Sequence, residues 1–274
     1  MTQKLIFLDI DGTLVEPGTN VPPASALEAV RGAQKNGHLI FLCSGRNYGM
    51  LSPLLRYGFD GLVASAGGYI EAAGRVVYDC PMTAAQQEKV MRVFQENGVY
   101  RTVESRDSSY TDESFRRFLT ESGGRNSELL RWREQLENNL GIRPMAEYRG
   151  EPVYKVVFMS PDMQRLETPR QELEDEFQFC VQEADQYGIV NGELINRQFD
   201  KGQAVKRLSG VLGIPLADTI AFGDSMNDLE MLQTAGLGIC MGNGSDALKA
   251  AAAEVCPPLK EDGLYRAFDA HGLL

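Results

Sequence analysis

Leu5-Ile6-Phe7-Leu8-Asp9-Ile10-Asp11-Gly12-Thr13 opens the chain with a short apolar run closed by two carboxylates and a glycine turn. A continuous apolar run of this length reads as a buried parallel strand. Strand side chains alternate, so an extended backbone reaching Asp11 would turn Asp9 and Asp11 to the same side. Two like charges so close call for a cation between them or a shared proton. Taken alone, the stretch also reads as a polar loop with an Asp-Gly turn.

Three further stretches place chemistry at strand ends or helix starts. Leu39-Ile40-Phe41-Leu42-Cys43 is a second apolar strand, followed by Ser44-Gly45-Arg46. Ser44 is a good helix N-cap, and a hydroxyl beside free amides at a helix N-terminus also suits an anion. Phe199-Asp200-Lys201-Gly202-Gln203 begins a helix whose apolar positions Val205, Leu208 and Leu212 share a face, with Asp200 and Gln203 at capping-box spacing. Lys201 then falls in the first helical turn, where the macrodipole disfavours a cation, so it asks for a negative partner. Thr219-Ile220-Ala221-Phe222-Gly223-Asp224-Ser225-Met226-Asn227-Asp228 is a strand, a glycine turn and an acidic helix start. Glu230 is explained by the helix dipole; Asp224, directly after the strand, is not. In an open parallel sheet, ligands collect beyond the carboxyl ends of the strands, where Asp9, Ser44 and Asp224 would all lie.

Together these segments resemble the four motifs of the haloacid dehalogenase-like phosphatases: Asp9-Ile10-Asp11-Gly12-Thr13, Ser44-Gly45-Arg46, Lys201-Gly202 and Gly223-Asp224-Ser225-Met226-Asn227-Asp228. The Cof-like branch, with a large cap inserted between the second and third motifs, is the nearest in pattern. The resemblance implies an α/β fold: a doubly wound, Rossmann-like parallel-sheet core carrying an inserted α+β cap. It further implies Mg²⁺-dependent hydrolysis of a phosphomonoester through an aspartyl-phosphate, with Asp9, Asp11, Ser44 and Lys201 catalytic. Asp9 would be the nucleophile and Asp11 the acid and base. Asp9, Asp224 and the Asp11 carbonyl would hold the metal, with Asp228 a ligand or an anchor. Gly12, Thr13, Ser44, Gly45, Arg46, Lys201, Asn227 and Asn243 would contact phosphate or substrate. The chain departs from the branch at Ser65-Ala66-Gly67-Gly68, where Ala66 stands at the usual Asn, and at Met241-Gly242-Asn243-Gly244, where Gly244 replaces Ala.

The 274 residues are 43% hydrophobic and 24% charged, enough for about two domains. A net charge of -11 argues against nucleic acid or an anionic membrane as partner. The first apolar run is too short for a secretory or membrane segment, which gives a cytoplasmic reading. Five cysteines, Cys43, Cys80, Cys180, Cys240 and Cys256, form no Cys-x-x-Cys pair, and His38 and His271 are the only histidines. Proton transfer therefore falls to carboxylates.

Strand and helix patterns alternate to about Met82 and resume near Asn191, which predicts a core at 1–81 and 192–274 with an insert at 82–191. Hinges are expected near Cys80-Pro81-Met82 and from Tyr187 to Gly192. Within the insert, Phe115, Phe118 and Leu119 make one helical face, and Leu129, Trp132, Leu136 and Leu140 another. Strands are expected at Val153–Met159 and Phe179–Glu183, and Thr168-Pro169-Arg170-Gln171 carries helix-start signals. The insert is expected to act as a lid. The expected partner is a small phosphorylated metabolite, sugar phosphates first; the oligomeric state is unread, because no interface stripe separates from core periodicity. A sugar phosphomutase and a non-catalytic phospho-ligand sensor would share these residues. A receiver-type fold would not predict so large an insert.

Overall fold

The computed structural model describes residues 2–121, 142–181 and 189–274, with side chains left out for 118–121. The expected helical face at Leu129, Trp132, Leu136 and Leu140, the Phe118 and Leu119 side chains, the end of the strand expected to Glu183, and the start of the hinge at Tyr187 lie outside the described residues. The strands are β1 (Leu5–Leu8), β2 (Leu39–Cys43), β3 (Gly61–Ala64), β4 (Tyr69–Ala72), β5 (Arg75–Asp79), β6 (Tyr100–Ser105) and β7 (Ser109–Thr111). They continue as β8 (Ile142–Pro144), β9 (Val153–Ser160), β10 (Phe177–Val181), β11 (Val190–Asn196), β12 (Thr219–Gly223), β13 (Leu237–Cys240) and β14 (Glu254–Val255).

The chain divides into two compact units. The first, Met1–Arg46, Leu51–Asp79 and Phe199–Leu274, carries an eight-stranded sheet in the order β14-β13-β12-β1-β2-β3-β4-β5. From β14 to β3 all pairings are parallel; β4 and β5 add antiparallel strands at one edge. All residues of β1 and β12 are buried, which is why both read as unbroken apolar runs. Leu5, Phe7, Phe41, Ala221, Val205, Leu208 and Met231 share one core cluster, so the helix Lys201–Leu212 packs on the sheet through the face its spacing predicts. From β1 the chain builds outward through β2 and β3, then returns to build β12, β13 and β14 on the other side. Connections leaving β1 and β12 therefore diverge, which opens a crevice at their carboxyl ends.

The second unit, Asn47–Met50 and Cys80–Gln198, carries a six-stranded sheet in the order β10-β11-β9-β6-β7-β8. Its pairings are antiparallel except β7 with β8. The helix Ala84–Glu96 starts with a full capping box between Thr83 and Gln86 and packs Val90, Val93 and Phe94 into a core with Val156, Phe158 and Phe177. β11 alternates buried and half-buried residues and pairs with both β9 and β10, so 192–198 go with this second sheet and the first unit resumes at Phe199. A second helix, Glu167–Leu173, begins one residue before Thr168 and has no side-chain cap. Thr168 is thus inside the helix, and Pro169 sits in its first turn, where the missing amide hydrogen is not needed. Among the described residues no helix is long and apolar enough to cross a membrane.

Candidate active site

The crevice begins where β1 stops. The Asp9 amide still donates to the Phe222 carbonyl at 3.0 Å, extending the ladder by one residue. The chain then folds tightly, with the amides of Leu14 and Val15 both donating to the Ile10 carbonyl. The strand ends at Leu8, so extended backbone does not reach Asp11, and the two carboxylates take different partners. Gly12 has φ +85°, and a Cβ there would lie 2.2 Å from Asp224 Oδ2. Only glycine allows the first loop to approach Asp224 so closely.

Asp9 and Lys201 are buried, and Lys201 Nζ donates to Asp9 Oδ1 at 2.7 Å. The same ammonium donates to Asp228 Oδ1 at 2.6 Å and reaches Asn227 Oδ1 at 3.5 Å. Lys201 follows its N-cap Asp200, whose carboxylate accepts from the Gln203 amide at 2.6 Å. The unfavourable place of a lysine in a first helical turn is thus offset by two carboxylates. Burial opposes its charge, but Asp228 and Asp9 outweigh that and raise its pKa well above the ordinary lysine range.

Asp228 is fully buried, and its Oδ2 accepts from the Asp224 and Ser225 amides at 3.0 and 3.2 Å. A Cβ on Gly223 would lie 2.5 Å from the Asp228 Cβ, so the glycine before Asp224 lets this loop close on itself. Asp224 Oδ1 accepts from Thr13 Oγ1 at 3.4 Å. Burial first, then the charge of Asp228, pushes Asp224 up to about 6. Asp9, Asp224 and Asp228 each offer an oxygen, all within 4.8 Å of one another. Three converging carboxylates exceed the single ammonium among them, and an all-oxygen donor set suits a hard divalent cation.

Asp11 stands apart from that triad. Arg46 grips its carboxylate with two parallel bonds, Nη2 to Oδ1 at 2.6 Å and Nε to Oδ2 at 2.8 Å. Ser44, at the end of β2, is buried, and its Oγ accepts from the Arg46 amide at 3.2 Å. Ser44 does not cap the following helix, which begins at Tyr48. Gly45, Arg46 and Asn47 intervene, and Asn47 Oδ1 accepts from the Met50 amide at 2.9 Å in the capping position. Asn243 spends both ends of its amide on backbone, donating to the Gly12 carbonyl and accepting from the Leu259 amide, each at 2.8 Å. It ties the loop after β13 to the loop after β1. Thr13 is fully buried and serves Asp224. His38 lies at the opposite end of the sheet, before β2, where its Nδ1 accepts from the Lys4 amide.

The structure brings together Asp9, Lys201, Asp224, Asp228, Asn227, Gly12 and Thr13, and sets Asp11 with Arg46. Residues without a sequence signal also matter. Asn20 Oδ1 accepts from Arg46 Nη1 at 2.6 Å, and nothing in a polar turn marks that contact beforehand. Ser65 and Ala66 have φ of 50° and 57°, and the Ala66 amide donates to the Ser44 carbonyl at 3.0 Å. Two consecutive non-glycine residues in left-handed backbone, buried beside Ser44, mark strain at a candidate functional site.

A sequence model described as haloacid dehalogenase-like hydrolase matches residues 6–268. The YkrA protein of Bacillus subtilis (strain 168) is 26% identical over 279 residues, covering all of both chains. The 5-amino-6-(5-phospho-D-ribitylamino)uracil phosphatase YwtE of the same organism is 27% identical, covering 95% of this chain and 95% of its own. Among solved structures, a hypothetical protein of Geobacillus kaustophilus HTA426 superposes with a TM-score of 0.80 at 23% identity over the full length of both chains.

Proposed function

This chain belongs to the haloacid dehalogenase-like hydrolases, and from that premise we propose that it is a Mg²⁺-dependent phosphomonoester hydrolase working through a phosphoaspartate on Asp9. The observation that carries the reading is Asp9 itself. It is a buried carboxylate at the end of the central strand, 2.7 Å from the Lys201 ammonium and within 4.8 Å of two more carboxylates.

In the first step an Asp9 oxygen bonds to phosphorus as the bond to the leaving oxygen breaks, and Asp11 gives that oxygen its proton. In the second, water adds to phosphorus and yields its proton to Asp11; phosphate departs and the Asp9 carboxylate is restored. Lys201 offsets the repulsion between a carboxylate and an anionic phosphoryl group, a pairwise interaction of about 4 kcal/mol at 4 Å and an effective dielectric of 20. The Ser44 hydroxyl orients the transferring group. Asp9, Asp224 and the Asp11 carbonyl would hold the Mg²⁺. Asp228, already engaged by Lys201 and two amides, would anchor that set. When bound, the ion supplies positive charge to the phosphoryl oxygens.

The substrate we assign is a small phosphorylated metabolite, with sugar and polyol phosphates first. Support comes from YwtE, whose named substrate carries its phosphate on a ribityl chain.

The test is phosphate release from a panel of phosphorylated metabolites, with Mg²⁺ or with chelator, for the wild type and Asp9→Asn. Release is expected to need both the metal and Asp9, with Asp9→Asn at least about a thousandfold slower because the covalent route is gone. Turnover retained in Asp9→Asn would remove the nucleophile assignment. Isomerised sugar phosphate with little free phosphate would indicate a mutase, and tight binding without turnover a sensor.

A further inference from the structure

Resting on the roles given above to Asp9 and Asp11, we propose that Arg46 is a positioning residue that sets the place and plane of the Asp11 carboxylate, rather than a phosphate ligand. All three guanidinium nitrogens already sit on protein acceptors, which take four of the five N–H groups. Nε and Nη2 take the two Asp11 oxygens, Nη1 takes Asn20 Oδ1 at 2.6 Å, and Nη2 also reaches the Thr19 carbonyl at 3.2 Å. The Gly18 amide adds a third bond to Asp11 Oδ1 at 3.0 Å. Arg46 is itself fixed through its backbone: its amide donates to Ser44 Oγ, and its carbonyl accepts from the Ser65 amide at 2.8 Å.

Asp11 lies two residues from Asp9, and past the tight turn after β1 the two carboxylates sit on different cations. Lys201 is occupied by Asp9 and Asp228, and Arg46 takes Asp11. Two parallel N–H bonds define a plane as well as a point, whereas an ammonium would fix only a point. An acid–base carboxylate needs its orientation set, because proton transfer requires the oxygen within hydrogen-bond reach of the leaving atom. The loop Gly18–Asn20 holds the fork and the carboxylate, while Ser44 holds the Arg46 backbone.

The experiment compares Arg46→Lys with wild type on p-nitrophenyl phosphate, whose leaving group departs without a proton, and on an unactivated alkyl phosphate, whose leaving group needs one. Arg46→Lys is expected to lower kcat on the alkyl phosphate at least tenfold more than on p-nitrophenyl phosphate, with KM changed less than kcat. In an Asp11→Asn background the same substitution should shift the alkyl-to-aryl ratio less than threefold, since the residue it acts through is gone. Asn20→Ala should move the ratio in the same direction by a smaller factor, and covers the case in which Arg46→Lys misfolds. Equal rises in KM on both substrates, persisting in Asp11→Asn, would overturn the proposal in favour of a phosphate contact. A folded Arg46→Lys enzyme with an unchanged alkyl-to-aryl ratio would overturn it too. If Asp11→Asn alone leaves that ratio unchanged, the acid–base assignment itself has failed, and the role of Arg46 falls with it.

Discussion

Asp224 carries opposed demands at the scale of one side chain. Its pKa is pushed up to about 6 by burial and by Asp228, against an ordinary value of 3.8. The folded protein therefore holds this proton more tightly than the unfolded chain does. Without metal, stability from this group is fully present below about pH 4 and lost as pH rises through 6. Asp224→Asn, which keeps an acceptor for Thr13 but removes the charge, is expected to melt higher than wild type in chelator at pH 7.5. The gap should close towards pH 4. A lower melting temperature at pH 7.5 would contradict the charge argument, and loss of activity in the same variant would show stability exchanged for function. Not all of the site is equally legible in the sequence. Lys201 is legible because a lysine in a first helical turn is locally unfavourable and so points to a partner elsewhere. The Arg46 to Asp11 pair is not, because the two residues are 35 positions apart and an arginine in a loop violates no local rule.

Among elements, parallel strands buried on both faces are the most readable part of the chain: β1, β2 and β12 coincide with continuous apolar runs. Their ends are harder to read, since extended backbone through Asp11 and a turn at Ile10 fit the same residue types. The polar side of β6, β9 and β11 is also illegible. Lys155 on β9 is buried, 2.6 Å from Glu193 on β11 and 3.4 Å from Glu104 on β6. An apolar run such as Val153–Ser160 gives no hint that its one lysine is paired across two neighbouring strands. Burial pushes Glu104 up, with Lys155 acting against it. Lys155→Met should leave two acids facing each other and destabilise the protein by about 3–5 kcal/mol, read by urea unfolding. Adding Glu104→Gln should recover part of that loss. A change under about 1 kcal/mol in the single variant would mean the ammonium contributes little beyond its own desolvation.

At the scale of the whole molecule, alternating strands and helices at both chain ends suffice to assign both to one sheet, because parallel strands need crossover connections. The point of re-entry is less readable, since β11 looks alike whether it closes the insert or reopens the core. Two units with separate cores predict unfolding that is not two-state. In calorimetry, Mg²⁺ at 100 times its dissociation constant should stabilise the first unit by about 2.7 kcal/mol and shift one transition only. Both transitions moving together would show that the units unfold as one.

The pairing of β1 with β12 also sets a timetable for synthesis. Lys201 lies 192 residues after Asp9. At ribosomal speeds of about 5 to 20 residues per second, Asp9 waits roughly 10 to 40 s for its ammonium partner. Until the last fifth of the chain emerges, the central strand lacks one of its two neighbours, and the acids at its tip belong to no site. A nascent chain stalled before Phe199 would carry Asp9 and Asp11 yet be inert, so the separation of these residues along the chain withholds chemistry until translation is almost complete.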